Sequence, residues 1–153
     1  MKKNIKNLVF ITFIFIHPLV WSIDCHDLIK KGEISYKKDT EIPFTGKVTG
    51  FCFSKFSGKY IGGKCEGRCK AYYPKIGNSN EKVFQDNFFK NGKADGTQKY
   101  YHLEGNLMHR DNWENGLLNG PAETWDYDGF QTWKAIYENG KCTKALVGSC
   151  PPD

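Results

Sequence analysis

The chain lacks the hydrophobic period of an amphipathic helix from Phe44 to its end, which argues against helices in this part. Its longest apolar run, Leu8–Ile16, is interrupted by Thr12 and is well short of the about 20 residues that a membrane-spanning helix needs. No long basic stretch is present either, because lysines and acidic residues are interspersed. Nucleic acid is therefore not an expected partner.

Motifs typical of enzymes are also missing. There is no Gly-x-Ser-x-Gly elbow, no His-Glu-x-x-His helix and no phosphate-binding loop. After residue 22 the histidines are His26, His102 and His109, and the last two are expected to be partly exposed strand residues rather than a general base or metal ligands. Asp126 and Asp128 flank a tyrosine where a turn is favoured over calcium binding. We therefore predict no catalytic residue, no metal site, no cofactor and no enzymatic activity.

The first 22 residues have the three parts of a secretory signal peptide. A basic start with Lys2, Lys3 and Lys6 precedes the apolar run. Val20 and Ser22 are small enough for the two recognition positions of a cleavage site after Ser22. An uncleaved membrane anchor is the alternative, and the short apolar run makes it the weaker one. Export would place the protein in the periplasm or outside the cell.

Cleavage would leave Ile23–Asp153 as the mature chain, which is long enough for one domain. Three of the 22 basic residues and none of the 17 acidic residues lie in the predicted signal peptide. The net charge therefore falls from +5 to +2, with 19 basic and 17 acidic side chains. The apparent basicity of the chain comes mostly from its export signal.

All six cysteines follow the predicted cleavage site: Cys25, Cys52, Cys65, Cys69, Cys142 and Cys150. An even number in an exported chain predicts disulfides, although the sequence does not choose among the possible pairings. Cys142 with Cys150 would close a short C-terminal loop, leaving the other four to pair within the N-terminal half. A zinc site at Cys65 and Cys69 is the competing interpretation, but no Cys-x-x-Cys pair and no matched histidine pair supports it.

From Gly92 onward, glycines recur with a step of 24 residues, and the step from the preceding copy at Gly63 is 29 residues. In the later copies the first glycine follows an asparagine, and in most copies a second glycine stands four residues on. The repeat glycines are Gly63, Gly67, Gly92, Gly96, Gly116, Gly120 and Gly140. A period of this size is typical of arrays of small supersecondary units, which present binding surfaces more often than catalytic pockets.

Each unit is expected to be a β-hairpin, because Asn-Gly tolerates the positive φ angles of tight turns. Aromatic residues recur at two positions of the unit. One column is Tyr60, Phe89, Trp113 and Tyr137; the other is Tyr72, Tyr101 and Trp125. We expect at least one column to form the core, and a second face would be an aromatic strip suited to contact with a partner. The candidate partner-binding aromatics are Trp113, Trp125, Tyr127, Phe130 and Trp133.

The segments Phe89–Gly105, Trp113–Gly129 and Tyr137–Lys141 share an aromatic residue, Asn-Gly and, in the first two, a second glycine, paired aromatics and a further glycine. This pattern resembles the MORN-repeat family and, more closely, the bacterial variant repeat of the YwqK-type antitoxin-component proteins. Pro43–Gly50 is similar to the entry segment of such exported proteins. The resemblance implies a single-layer antiparallel β meander that serves as a protein- or membrane-binding module.

The predicted organisation is all-β, with a signal peptide at 1–22, an N-terminal cap at 23–43, MORN-like hairpin repeats at 44–144 and a tail at 145–153. In the cap, Asp24 is expected to begin one or two helical turns over Cys25–Lys31, ended by Gly32. The expected function is that of an exported module that binds a macromolecular partner, in the first place a protein, with an immunity- or antitoxin-like role. The alternative is an envelope surface module that binds lipid or glycan.

Overall fold

The computed structural model describes residues 22–52, 54–74 and 80–152, and the side chains of all of these except 51, 52 and 54–56. Apart from Ser22, the predicted signal peptide lies outside the described residues. The described chain is all-β, as predicted, and forms a large mixed sheet of mostly antiparallel strands.

The strands follow one another closely along the chain. In order they are β1 Ser22–Asp24, β2 Leu28–Lys31, β3 Ile34–Lys37, β4 Gly46–Thr49, β5 Phe51–Cys52, β6 Ser54–Ile61, β7 Lys64–Tyr72, β8 Val83–Lys90, β9 Lys93–Ala94, β10 Gly96–Tyr101, β11 Leu107–Glu114, β12 Leu117–Trp125, β13 Gln131–Glu138 and β14 Lys141–Val147.

The order across the sheet is β1-β4-β6-β7-β8-β10-β11-β12-β13-β14. From β6 to β14 the chain runs outward strand by strand, with β9 paired to β8 and β5 paired to β6. β1 and β4 form a parallel pair, and the other pairs in the described chain are antiparallel. β2 and β3 form a separate two-stranded sheet.

The helix predicted over Cys25–Lys31 is only a single 3-10 turn, Cys25–Asp27. Asp24 caps this turn as expected, because its side chain accepts a hydrogen bond from the backbone N–H of His26. The prediction is wrong for the rest of the segment, since Leu28–Lys31 pairs with β3. Gly32 therefore does not end a helix but lies, with φ +60°, in the turn of a hairpin.

The tight turns of the repeats have two successive residues in the left-handed region. Asn91, Asn115 and Asn139 have φ between 50° and 52°, and the glycines that follow them have φ between 72° and 87°. This is the type I′ geometry whose twist matches that of the flanking strands. The glycine N–H also reaches the preceding unit, as Gly116 donates to Ala94 O (2.8 Å) and Gly140 donates to Leu118 O (2.8 Å).

The 24-residue step of the sequence recurs as a step in the strand pairing. In the first strand of each hairpin, β8, β11 and β13, one residue has no partner in the pairing with the preceding strand. These residues are Phe84, Met108 and Thr132. These positions are 24 residues apart, so each unit carries its β-bulge at the same place. A bulge bends its strand and increases the local twist, and its recurrence gives every unit the same bend.

The core lies on one face of the sheet, where large side chains cover small ones. Ala122 and Ala135 are buried beneath Tyr137, with Leu118, Trp133 and Cys142 packed around them. A second cluster, near the N-terminus, consists of Cys25, Phe44 and Val48 with Ile23, Leu28 and Tyr60 against it. Tyr60 and Tyr137 belong to the first aromatic column, which therefore contributes to both clusters.

Disulfides join Cys65 to Cys69, with the Cα atoms 6.6 Å apart, and Cys142 to Cys150, with the Cα atoms 5.8 Å apart. Cys25 is disulfide-bonded as well, and the side chain of Cys52 lies outside the description. No free cysteine is found in the described chain. Because Cys65 and Cys69 bind each other, they are not zinc ligands.

Reduction is expected to lower the melting temperature. Cys142–Cys150 closes a short loop, with a sequence separation of 8, and such a closure stabilises by about 2–3 kcal/mol through the entropy of the unfolded chain. Thermal melts with and without dithiothreitol measure the effect. The double variant Cys142→Ser, Cys150→Ser should have a lower melting temperature than the native chain, and reduction should lower it by less. Identical melting temperatures of the native chain with and without dithiothreitol would contradict the prediction.

Candidate functional site

A row of charged side chains crosses the face of the sheet opposite the core. Each member lies directly opposite the next one on the neighbouring strand, from β7 to β13. Because directly paired residues point to the same face, the six side chains share one surface. We call this set the charged row; its members are Lys70, Asp86, Lys99, Arg110, Glu123 and Lys134.

Glu123 is the most deeply buried member, with 2% of its surface exposed. Its carboxylate accepts hydrogen bonds from both flanking strands, from Arg110 Nε (2.8 Å) and Nη2 and from Lys134 Nζ (3.0 Å). Gln131 Nε2 donates a further bond (3.3 Å). Burial raises the pKa of Glu123, but the bonds from Arg110 and Lys134 outweigh it, so the pKa lies below its ordinary value. This carboxylate is therefore charged at neutral pH.

Asp86 on β8 is held by cations of one neighbouring strand. Arg68 on β7 donates from Nε (2.6 Å) and Nη2 (2.5 Å) to the two carboxylate oxygens, a bidentate pair. Lys70 Nζ lies 3.9 Å away. The hydrogen bonds from Arg68 lower the pKa of Asp86 by more than burial raises it. Both carboxylates thus act as internal counter-ions for cations of the neighbouring strands.

The charged row carries a surplus of positive charge. Its four cations and Arg68 stand against two carboxylates, which leaves this set of seven side chains with a net charge of +3. The whole predicted mature chain carries only +2, so the other described and undescribed parts together carry a small negative charge. The charged row is therefore the electropositive part of the described surface.

Aromatic rings flank the charged row on the same face. Tyr72, Tyr101 and Trp125 stand two residues beyond Lys70, Lys99 and Glu123 on their strands, and alternation keeps them on the same side. We call these three the aromatic row. The row is half-buried. Its rings are evenly spaced, because two strand steps of about 4.8 Å separate each from the next.

The two rows contact each other. The Arg110 guanidinium lies over the Trp125 ring, with Cζ 5.5 Å from the ring centroid. Burial raises the pKa of Tyr101, and the nearby Asp86 carboxylate raises it further, so its hydroxyl stays protonated. Arg110 is therefore held by a ring and a carboxylate rather than moving freely.

The structure does not bring the five predicted partner-binding aromatics together. Trp125 belongs to the aromatic row, whereas Trp113 and Trp133 lie on the core face. Trp113 Nε1 donates to Asp111 (3.3 Å), and Trp133 Nε1 donates to Ser149 O (2.8 Å). Tyr127 and Phe130 are 60% and 71% exposed in the loop after β12. Neither residue belongs to a strand.

The histidines and aspartates considered for chemistry have structural partners. The prediction of a partly exposed strand residue is wrong for His102, which is buried and follows the end of β10, with the Tyr127 ring packed on it at a centroid distance of 4.1 Å. His109 contacts the Asp111 carboxylate on the core face. Asp126 accepts bonds from the backbone N–H groups of Asp128 (3.1 Å) and Phe130 (2.9 Å), which is turn geometry. Across residues 22–52, 54–74 and 80–152 no cluster of three or more metal-ligating side chains is found.

The charged row was missed at the sequence level, although the repeat contains a signal for it. Asp86, Arg110 and Lys134 are 24 residues apart, and so are Lys99 and Glu123. One repeat position thus changes its charge between copies, and the position paired with it changes as well. Such complementary changes would have indicated cross-strand ion pairs.

The disulfides are compatible with a periplasmic or extracellular location. Within the described ranges no helix is long and apolar enough to span a membrane. Comparison with protein-family models, with curated proteins and with solved structures finds no match.

Proposed function

We propose that this chain is an exported β-repeat module that binds a macromolecular partner, a protein with an acidic surface. The binding surface is the charged row together with the aromatic row. We also propose that the chain is organised as a single-layer meander of MORN-like hairpins over 44–144, capped by 23–43 and followed by a tail at 145–153. The proposal also includes cleavage after Ser22 and an immunity- or antitoxin-like role.

The observation that carries the proposal is the composition of this face. Tyrosine, tryptophan and arginine are the residues enriched at protein interfaces and among their hot spots. Here Tyr101, Trp125 and Arg110 lie side by side, with Arg110 stacked on Trp125. The net charge of +3 selects against basic partners and steers acidic ones toward the face.

The size of the surface also suits a protein. Five strand steps separate β7 from β13, which is about 24 Å, and a strand of eight residues is about 27 Å long. The face therefore measures about 650 Å², against about 800 Å² per partner in a standard interface. A single folded protein can cover it.

Capture from the cell-envelope extract with the oxidised mature chain, read by mass spectrometry, tests the proposal. With the double variant Tyr101→Ala, Trp125→Ala the amount of captured protein should fall at least tenfold, because interface aromatics of this kind are hot spots. The control double variant Tyr127→Ala, Phe130→Ala removes two exposed aromatic rings outside the site and should still capture the protein. Retention should also weaken between about 0.05 M and about 0.5 M salt. Equal loss with both double variants would refute the site.

The even spacing of the aromatic row favours a second candidate, a repeating polymer such as an envelope glycan. Rings on every second strand recur at about 9.6 Å, so each could stack on successive units of one chain. Retention on cell-wall material with no protein present, lost in Tyr101→Ala, Trp125→Ala, would favour this candidate. Retention on liposomes alone would favour lipid instead.

A further inference from the structure

Two cations of the charged row stand directly opposite each other. Lys99 on β10 pairs with Arg110 on β11, and like charges in this position are destabilising. The remaining four steps of the row all join opposite charges: Lys70 with Asp86, Asp86 with Lys99, Arg110 with Glu123 and Glu123 with Lys134. The Lys99–Arg110 step is therefore the one unfavourable junction in the row.

The carboxylates nearest to this junction are already engaged. Glu123 is bonded to Arg110 and Lys134, and Asp86 is bonded to Arg68 on the far side. In the part of the chain that the structure describes, no carboxylate comes within 4.0 Å of Lys99 Nζ. Asp86 acts on Lys99 only through space. The positive potential between the two strands is thus left without a contact partner.

We propose that the Lys99–Arg110 junction is a binding site, here called the seat, for a carboxylate of the bound partner. The proposal rests on the proposed function, since it names the anchoring point of an acidic protein on this face. Arg110 has N–H donors beyond those it gives to Glu123, and Lys99 has three. Glu123 and the Trp125 ring hold the Arg110 guanidinium in place, so little rotamer freedom is lost when a carboxylate binds.

The seat gives two opposite expectations for one variant. Lys99→Gln removes the like-charge opposition to Arg110 together with a through-space attraction to Asp86, but Asp86 keeps its bidentate bonds from Arg68. The free protein should therefore melt no lower than the native chain. The same variant removes half of the seat, so binding of an acidic ligand should weaken. A residue that only supports the fold would lower the melting temperature when replaced. A gain or no change in stability together with a loss of binding is therefore specific to a ligand seat.

Calorimetric titration with a polyglutamate peptide tests the proposal. Lys99→Gln should lower the affinity for the peptide at least tenfold, whereas Lys144→Gln should change this affinity by less than about twofold. Both variants remove one positive charge, but Lys144 is exposed on β14 and outside the charged row. Equal weakening by the two variants, or a lower melting temperature for Lys99→Gln, would overturn the seat.

Two further outcomes separate this proposal from the general one. A captured envelope protein whose binding does not depend on Lys99 would leave the proposed function standing and overturn the seat. Tight binding of phosphatidylglycerol vesicles that depends on Lys99 but not on Lys144, with no peptide bound, would assign the junction to a phosphate headgroup. That result overturns the assignment to a protein carboxylate.

Discussion

Replacing Gly63 by alanine is expected to destabilise the protein by about 2–5 kcal/mol, because a left-handed backbone strains alanine and an overlap strains the packing. Gly63 has φ +78°, and a Cβ atom there would lie 2.5 Å from both Ile34 Cγ2 and Ser35 O. The backbone of Gly63 donates to Phe44 O (2.7 Å) and accepts from Ser35 N (2.8 Å). It therefore joins the N-terminal hairpin to the sheet and cannot move away from the clash.

The neighbouring glycine is the matched control. Gly62 also has a positive φ, +56°, but a Cβ atom there would meet nothing within 4 Å. Gly62→Ala should therefore cost only the backbone strain, about 1–2 kcal/mol. Urea denaturation of both variants measures the difference. Equal free energies of unfolding for the two variants would show that the contact with Ser35 is unimportant.

Replacing Glu123 by alanine should cost about 2–4 kcal/mol at neutral pH, because it leaves the two cations on the flanking strands, Arg110 and Lys134, without their buried counter-ion. The cost should stay below the largest values for breaking a buried ion pair, because the Arg110 and Lys134 side chains are 40% and 32% exposed. Water can therefore solvate these cations in part when the carboxylate is removed. Chemical denaturation measures the change. Glu138→Ala, which removes an exposed carboxylate from the adjoining strand, should cost little.

The cost of Glu123→Ala should depend on pH in one direction. The pKa of Glu123 is lowered on folding, so its stabilising contribution is complete above the unfolded value of about 4.3 and is lost as the pH falls through the lower folded value. The native and variant free energies should therefore converge below about pH 4. A constant gap down to pH 2 would mean that the loss comes from packing and not from charge.

The repeat in the sequence is enough to predict the strands and the turns, since Asn-Gly with aromatic residues around it admits few alternatives. It does not give the pairing across a hairpin. Symmetry about Asn115–Gly116 would place Arg110 opposite Pro121, yet Arg110 lies opposite Glu123, because two extra residues enter β12. Gly120, with φ +107°, lies in this stretch. A shift by two keeps every side chain on its face, so the hydrophobic pattern cannot reveal it.

The N-terminal region was less predictable for a different reason. Cys25–Lys31 has a helix cap and few residues that disfavour a helix, so local preferences point to helical turns. Pairing with β3 decides the outcome, and no sequence repeat in this region indicates that pairing. The aromatic columns were predictable as columns, whereas the placing of Trp125 apart from Trp113 and Trp133 depended on the face of each strand position.

The bond from each turn glycine to the unit before it has a consequence for how the chain folds. Gly116 reaches Ala94 and Gly140 reaches Leu118, both 22 residues back, and the strand pairs between them are closer still. Contacts of such short sequence separation keep the contact order low for an all-β protein, so folding should be faster than in a sandwich of the same length. Structure that nucleates in one hairpin can then spread to its neighbours one unit at a time, as in a one-dimensional lattice.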